Sequence, residues 1–322
     1  MRKSASLCLF VVALFTSFRS TAEGPPNVAH LLMVASKGDI NAQFTLGLAY
    51  EFGRGVAQDF VEAARWYKKA ADAGNPAAQA HLGNLYARGS GLARDEGAAL
   101  KWYLRAATEG DAVAQTNLGR MYFNGEAGLQ QDYSEAARWF TKAAAQRDPI
   151  AEANLATLYS AGLGLPRDPD KAASLYLEAA RQGNLYSQAR LAWIYEHGIG
   201  RPQDLAESLK WNRTAAERGY PAALNNLGFF YEHGIGVERD LAEAAYLYCA
   251  AASSKLPEAQ RNWNIIRSNI SALPEDCAEA ARWLGKVAAQ EKLGNGSESI
   301  EADAKLPAGS SVVSGALVSG TH

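Results

Sequence analysis

The stretch Leu46-Gly47-Leu48-Ala49-Tyr50-Glu51-Phe52-Gly53-Arg54-Gly55 decides the fold of this 322-residue chain, because its pattern returns five more times. Its tyrosine recurs as Tyr50, Tyr86, Tyr122, Tyr159, Tyr195 and Tyr231, at intervals of 36, 36, 37, 36 and 36 residues. A leucine stands four residues before each, from Leu46 and Leu82 through Leu118, Leu155 and Leu191 to Leu227. A glycine pair follows each tyrosine, as in Gly53/Gly55, Gly89/Gly91, Gly162/Gly164 and Gly198/Gly200. The pair Gly125/Gly128 holds the one extra residue that makes the single interval of 37. An aspartate then closes the pattern at Asp59, Asp95, Asp132, Asp168, Asp204 and Asp240. A fixed period of this length is the mark of a repeat architecture.

Each copy reads as two helices. Ala42, Leu46 and Tyr50 are spaced i, i+4, i+8 and form one apolar stripe on helix A. The first glycine of the pair ends that helix, because a left-handed residue there carries no Cβ penalty. Helix B begins at the aspartate, whose carboxylate can accept from the unpaired N–H groups of the first turn. Glu62, Glu135, Glu207 and Glu243 follow their aspartates at the spacing of a capping box. Paired alanines such as Ala70-Ala71 and Ala143-Ala144 let neighbouring helices approach closely, and Gly74, Gly110, Gly183 and Gly219 close four of the copies.

The reading extends outward from there. Adding one period to Asp240, Glu243 and Leu247 reaches Asp276, Glu279 and Trp283, so residues 257–289 form a degenerate seventh unit suited to capping the stack. Six full copies occupy 42–256, and residues 23–41 hold a linker and a half-repeat helix. Residues 290–322 are rich in Gly, Ser and Ala and are expected to lack fixed structure. At the other end, Arg2 and Lys3, the apolar run Leu7 to Phe15 and the small residues Ser20-Thr21-Ala22 have the order of a signal peptide. Residues 1–22 are therefore expected to be cleaved after Ala22, which sends the protein to the periplasm or outside the cell. No later run is apolar enough to span a membrane, so no stable insertion is expected after cleavage.

In order, Leu46-Gly47, Tyr50, Gly53, Gly55, Asp59, Trp66-Tyr67 and Ala70-Ala71 resemble the Sel-1-like repeat (SLR) family, a tetratricopeptide-like (TPR-like) branch of the α-solenoids. The resemblance covers roughly residues 28–289. It implies an all-α, right-handed solenoid of antiparallel helix pairs, with about six full repeats and a degenerate C-terminal cap. It also implies an adaptor or scaffold role, often periplasmic in bacteria, and no defining catalytic constellation. Cysteine-rich members have been linked to β-lactam binding and hydrolysis, which gives an alternative: a cell-envelope ligand-binding protein or hydrolase.

Composition narrows the remaining classes. Lys+Arg 32 against Asp+Glu 34 gives a net charge of −2, without the basic excess that holds nucleic acid. The recurrent acids are read as helix caps rather than acid/base pairs. His197 and His233 lie at equivalent points of adjacent repeats, about 10 Å apart, which is too far to share a metal ion. The glycine pairs have helices on both sides, so they are turns and not phosphate loops. The expectation is therefore no enzyme, no cofactor and no metal. Cys249 and Cys277 differ by eight residues in helix-B register, about 12 Å of rise, so their thiols are not expected to meet if the seventh unit packs in register.

A partner surface can be placed on helix A. Positions 45, 48 and 52 share a face turned away from the buried stripe. Along the chain this face includes Asn84, Arg88, Asn117, Arg120, Asn154, Arg190, Trp193, Asn226 and Phe229. Asn pairs with peptide backbone in both directions, Arg grips carboxylates bidentately, and Trp and Arg are frequent hot spots. These residues are the expected contact set for a protein or peptide partner on the concave side of the stack.

Overall fold

Each signature aspartate opens a helix. In the computed structural model Asp59, Asp132 and Asp204 each accept from two N–H groups of the following turn, and Asp95, Asp168 and Asp240 from one. The model describes residues 28–269, and beyond them 273, 274, 276, 279, 280, 282 and 283. The expected signal peptide, Cys277 and the expected tail lie outside the described residues.

The helices are α1 (Val28–Ser36), α2 (Ile40–Phe52), α3 (Phe60–Asp72), α4 (Pro76–Arg88), α5 (Glu96–Thr108), α6 (Ala112–Asn124) and α7 (Tyr133–Ala144). They continue as α8 (Pro149–Ala161), α9 (Pro169–Arg181), α10 (Leu185–His197), α11 (Leu205–Ala216), α12 (Pro221–His233), α13 (Leu241–Ala252) and α14 (Pro257–Asn269). No strand occurs among the described residues. The fold is all-α, of the α-solenoid class. The even-numbered helices from α2 onward are A helices and the odd-numbered ones from α3 onward are B helices. The chain divides into two compact units, one through Trp102 and one from Tyr103.

In the first unit α1 packs on α2, α2 on α3 and α3 on α4. Its core joins Leu82 and Leu85 to Tyr67 and to the alanines Ala63, Ala70, Ala71 and Ala78. In the second unit each helix from α6 to α14 packs on the next. Phe140, Leu155 and Leu158 form one core layer there, and Phe230 and Leu227 another. The paired alanines are buried, except that Ala144 is half-buried. Beyond α14, Asp276 accepts from Glu279 N–H at 2.9 Å, the cap that one added period predicts.

The loops carry three features that the sequence reading missed or misassigned. The capping-box glutamates do not answer for the N-cap amide. In all six copies the aspartate N–H donates instead to the carbonyl of the signature tyrosine, from Asp59 to Tyr50 at 2.9 Å through Asp240 to Tyr231 at 3.0 Å. That bond ties the end of helix A to the start of helix B. Second, the two glycines of a pair have separate duties. Gly53, at φ 66°, caps α2 as expected, whereas a Cβ on Gly91, Gly164 or Gly200 would run into the first residue of the preceding B helix. The second glycine is thus a contact between repeats. Third, Arg147 and Lys255 adopt the left-handed conformation (φ 63° and 64°) where the other copies place glycine.

A glutamine also recurs in helix A. Gln43, Gln79, Gln115 and Gln188 each donate from Nε2 to the carbonyl of an alanine eight residues back (Ala35, Ala71, Ala107 and Ala180), at 3.0–3.3 Å. The fourth copy has Glu152 here. Burial and then the charge of Glu178 push its carboxyl from an ordinary 4.5 up to about 7, while its oxygen accepts from Gln182 Nε2 at 2.7 Å. A carboxyl raised in the folded state binds more protons folded than unfolded, so its contribution falls as pH rises from about 4.5 to about 7. Glu152→Gln is therefore expected to raise stability at pH 8 by about 1 kcal/mol after allowance for screening, and to leave it unchanged at pH 4. Urea unfolding at the two pH values reads this directly.

Cys249 is disulfide-bonded. Its partner lies outside the described residues.

Candidate functional site

The sixteen-residue step from helix A to helix B places an aromatic ring of B under the outward face of the next A helix. In the first unit that ring is Tyr67, which lies 5.0 Å from His81 and 5.9 Å from Phe44, centroid to centroid. Tyr67 donates its hydroxyl to Glu51, and His81 Nδ1 lies 2.9 Å from the same carboxylate oxygen. Burial alone would raise the Glu51 carboxyl. The hydrogen bonds and charge of His81, the Tyr67 hydroxyl and the more distant charge of Arg88 overcome it and hold the group below its ordinary value. Of the expected contact residues here, Arg88 is exposed but Asn84 is only 8% exposed, so Asn84 belongs to the packing and not to an open face. Helix-wheel geometry assigned it outward because the wheel ignores the neighbouring helix.

In the second unit the expected residues fall into two groups. Asn117, Arg120 and Asn154 are half-buried. Arg120 is already engaged: its Nη1 donates to both oxygens of Glu126 at 2.7 Å, where the extra loop residue of the third copy brings that acid round. Arg120 is thereby corrected from a free contact residue to a loop anchor.

The others lie one repeat apart, Asn226 and Phe229 on α12, and Trp193 with Arg190 on α10. The Arg190 guanidinium carbon sits 5.6 Å from the Tyr176 ring of α9 and 5.3 Å from the Trp193 ring one turn along. Tyr176 lies edge-on to Tyr186 at 6.1 Å, and Thr157 Oγ1 of α8 is 2.9 Å from the Tyr176 hydroxyl. Burial, then the neighbouring Tyr186, pushes the Tyr220 phenol up to about 12, while the positive charge of Arg190 acts on it in the opposite sense. Arg190 forms no ion pair among the described residues, and neither Arg190 Nε nor Trp193 Nε1, both buried, has an acceptor there. Asn212 of α11 is fully buried, with its Nδ2 unpaired in the same way. Its oxygen is 3.5 Å from Asn226 Nδ2. Trp193 and Phe229 stack on His197 and His233 at 4.6 and 4.2 Å, and each histidine Nδ1 lies 3.0 Å from a carbonyl of its own helix.

The expected set thus contributes Arg190, Trp193, Asn226 and Phe229. It omitted Tyr176, Tyr186, Asn212 and Tyr220. The signal for three of these was departure from the repeat. Asn212 stands where the other five copies have Tyr67, Tyr103, Phe140, Tyr176 and Tyr248. Tyr186 replaces small or aliphatic residues in four of its five equivalents. Tyr220 occupies the N-cap position of α12, which Asp39, Asn75, Asp111, Asp148 and Asn184 fill elsewhere, and it makes no capping bond. Departures from a repeat's own local rules are expected at functional sites. No three His, Cys, Asp or Glu side chains converge as metal ligands among the described residues.

Six consecutive copies of the Sel1 repeat match residues 40–75, 76–111, 112–148, 149–184, 185–220 and 221–255. The chain belongs to the Sel1 repeat family. Sel1 repeat proteins generally mediate protein–protein interaction, and this chain shares their repeat from α2 to α13. Two solved structures are similar to this Sel1 repeat protein. One is c5321, a protective antigen present in uropathogenic Escherichia coli strains and displaying an SLR fold. It is 33% identical with a TM-score of 0.64, over 81% of this chain and 56% of its own. This chain therefore spans little more than half of that antigen. The other is a Sel1 repeat protein from Oxalobacter formigenes, 31% identical with a TM-score of 0.64, over 70% of this chain and 89% of its own. No curated relative matches. No described helix is long and apolar enough to cross a membrane.

Proposed function

We propose that this Sel1 repeat protein is a non-catalytic adaptor, exported by its N-terminal segment to the periplasm or beyond the cell, which holds a protein partner on the A-helix face of α10 and α12. The observation that carries the reading is Arg190 beside Trp193 on α10, with Asn226 and Phe229 at the equivalent positions of α12 one repeat on. It joins a cation that forms no ion pair among the described residues to aromatic rings that remain partly accessible. Trp and Arg in half-desolvated positions are the side chains that dominate binding energy at protein interfaces. Export is supported by the order of cationic, apolar and small residues in 1–22.

The test is position-specific photocrosslinking in the native compartment. A photoreactive residue at Trp193 or Phe229 is expected to trap a defined partner, while one at Lys210 or Tyr246, exposed on B helices, does not. Equal trapping from both faces contradicts the reading. Mature chain beginning at Glu23, found by N-terminal sequencing, supports export, and an intact N-terminus in the cytosolic fraction opposes it.

A further inference from the structure

We infer that Arg190 is the receptor for a carboxylate of the bound polypeptide, either an Asp or Glu side chain or a free C-terminus. The inference rests on the adaptor reading and specifies the chemistry of its site. A guanidinium carries five N–H donors in a rigid fork that matches a carboxylate. In this chain the charged side chains of the same helical stack mostly settle their needs internally: Arg120 on Glu126, Arg181 on Glu178, Arg138 on Glu135 and Lys210 on Glu207. Arg218 donates to the Gly183 carbonyl at 2.8 Å. Arg190 alone among these forms neither an ion pair nor a hydrogen bond with the described residues, although it is half-buried.

The surroundings explain how such a charge is kept ready. The rings of Tyr176 and Trp193 flank the guanidinium, and cation–π contact offsets part of its desolvation without using its donors. Tyr176 is itself fixed by Thr157. Held between two rings, the fork loses little further freedom when it binds. Trp193 Nε1 is a second buried donor on the same helix, three residues along.

The repeat itself supplies the contrast. At the position of Arg190 the other A helices place Thr45, His81, Asn117, Asn154 and Asn226. The cation is therefore a local substitution, accompanied by Tyr186, Asn212 and Tyr220, and not a requirement of the fold. An extended peptide crossing α10 would meet one charged position, framed by aromatic rings and by neutral amides such as Asn226. That pattern reads one acidic group and tolerates variety beside it.

The test uses the full chain and octapeptide pools immobilised through a linker. One pool fixes Asp or Glu at its centre, and a second fixes Asn or Gln there. Each is prepared with a free and with an amidated C-terminus. The acidic or free-carboxyl pools are expected to be retained at least ten-fold better than their neutral counterparts, with Arg190→Gln abolishing the difference and Arg190→Lys restoring part of it. Dependence on the central residue assigns a side-chain carboxylate, and dependence on amidation assigns the terminal one. Thermal unfolding of Arg190→Gln should match the wild type, which separates lost recognition from lost folding. Equal retention of acidic and neutral pools, preference unaltered by Arg190→Gln, or retention only of phosphorylated peptides overturns the inference. So does a failure to retain any pool while photocrosslinks still form at Trp193, an outcome that leaves the adaptor reading standing.

Discussion

Alanine at Gly200 is expected to destabilise the protein by about 2–4 kcal/mol, whereas alanine at Gly236, the same position one repeat later, costs about 1 kcal/mol. Both residues are left-handed, at φ 70° and 68°, so they share the conformational penalty of a Cβ. They differ in what the Cβ meets. At Gly200 it runs into the carbonyl of Pro169, with Asp170 N at 3.1 Å, which is backbone and cannot swing aside. At Gly236 the nearest atom is Leu209 Cδ2 at 3.9 Å, an ordinary contact. The difference between the two variants therefore isolates the contact between repeats from the turn. Urea midpoints that shift equally for both would show that the second glycine serves the loop alone.

Glu51→Ala is expected to cost about 2–4 kcal/mol at pH 7, because it leaves the Tyr67 hydroxyl buried without its acceptor and removes the partner of His81. The effect carries a signature in acid. The Glu51 carboxyl is held below its ordinary value, so its stabilising contribution is complete above that value and is lost as pH falls through the folded one. Wild type and variant should accordingly differ most near neutrality and converge in acid. Glu152→Gln has the opposite sign, since its carboxyl is raised. Two buried glutamates at different positions of one repeat thus respond to pH in opposite ways. Burial and the charge of Glu178 outweigh Arg147 and raise Glu152, while hydrogen-bond donors and nearby positive charge lower Glu51.

Period and capping were legible because they depend on residues close in sequence. A glycine at the end of helix A and an aspartate at the start of helix B act within one turn, so counting alone places Gly53 and Asp59. The same arithmetic places the Asp276 cap, one period beyond Asp240. Contacts between copies were not legible in the same way. Nothing in Gly198-Ile199-Gly200 says that the second glycine faces Pro169, thirty-one residues earlier. The recurring glutamine was visible at the period, but its partner, a helix-B carbonyl, is a backbone group that no pattern announces.

The candidate site was half legible for a related reason. A helical wheel finds Arg190 and Trp193 because it sorts residues by direction. It places Asn84 beside them because it takes no account of what packs on the helix, and it cannot see that Glu126 reaches Arg120. The residues it missed lie on other helices: Tyr176 on α9, Asn212 on α11, and Tyr220 in the turn before α12. What they have in common is disagreement with their own repeat. An N-cap aspartate or asparagine contributes about 0.5–2 kcal/mol, and Tyr220 gives that up. A buried tyrosine would fill the space that Asn212 occupies with an unpaired amide. Each departure gives up stability that the repeat's usual residue would supply, which is expected where a site is kept for function.

The most direct measurement returns those positions to the repeat. A variant carrying Arg190→Asn, Asn212→Tyr and Tyr220→Asn should unfold at a higher urea concentration than the wild type and should no longer yield the photocrosslinked partner from Trp193. A variant that is less stable, or one that still traps the partner at the wild-type level, would contradict the claim that these departures serve recognition.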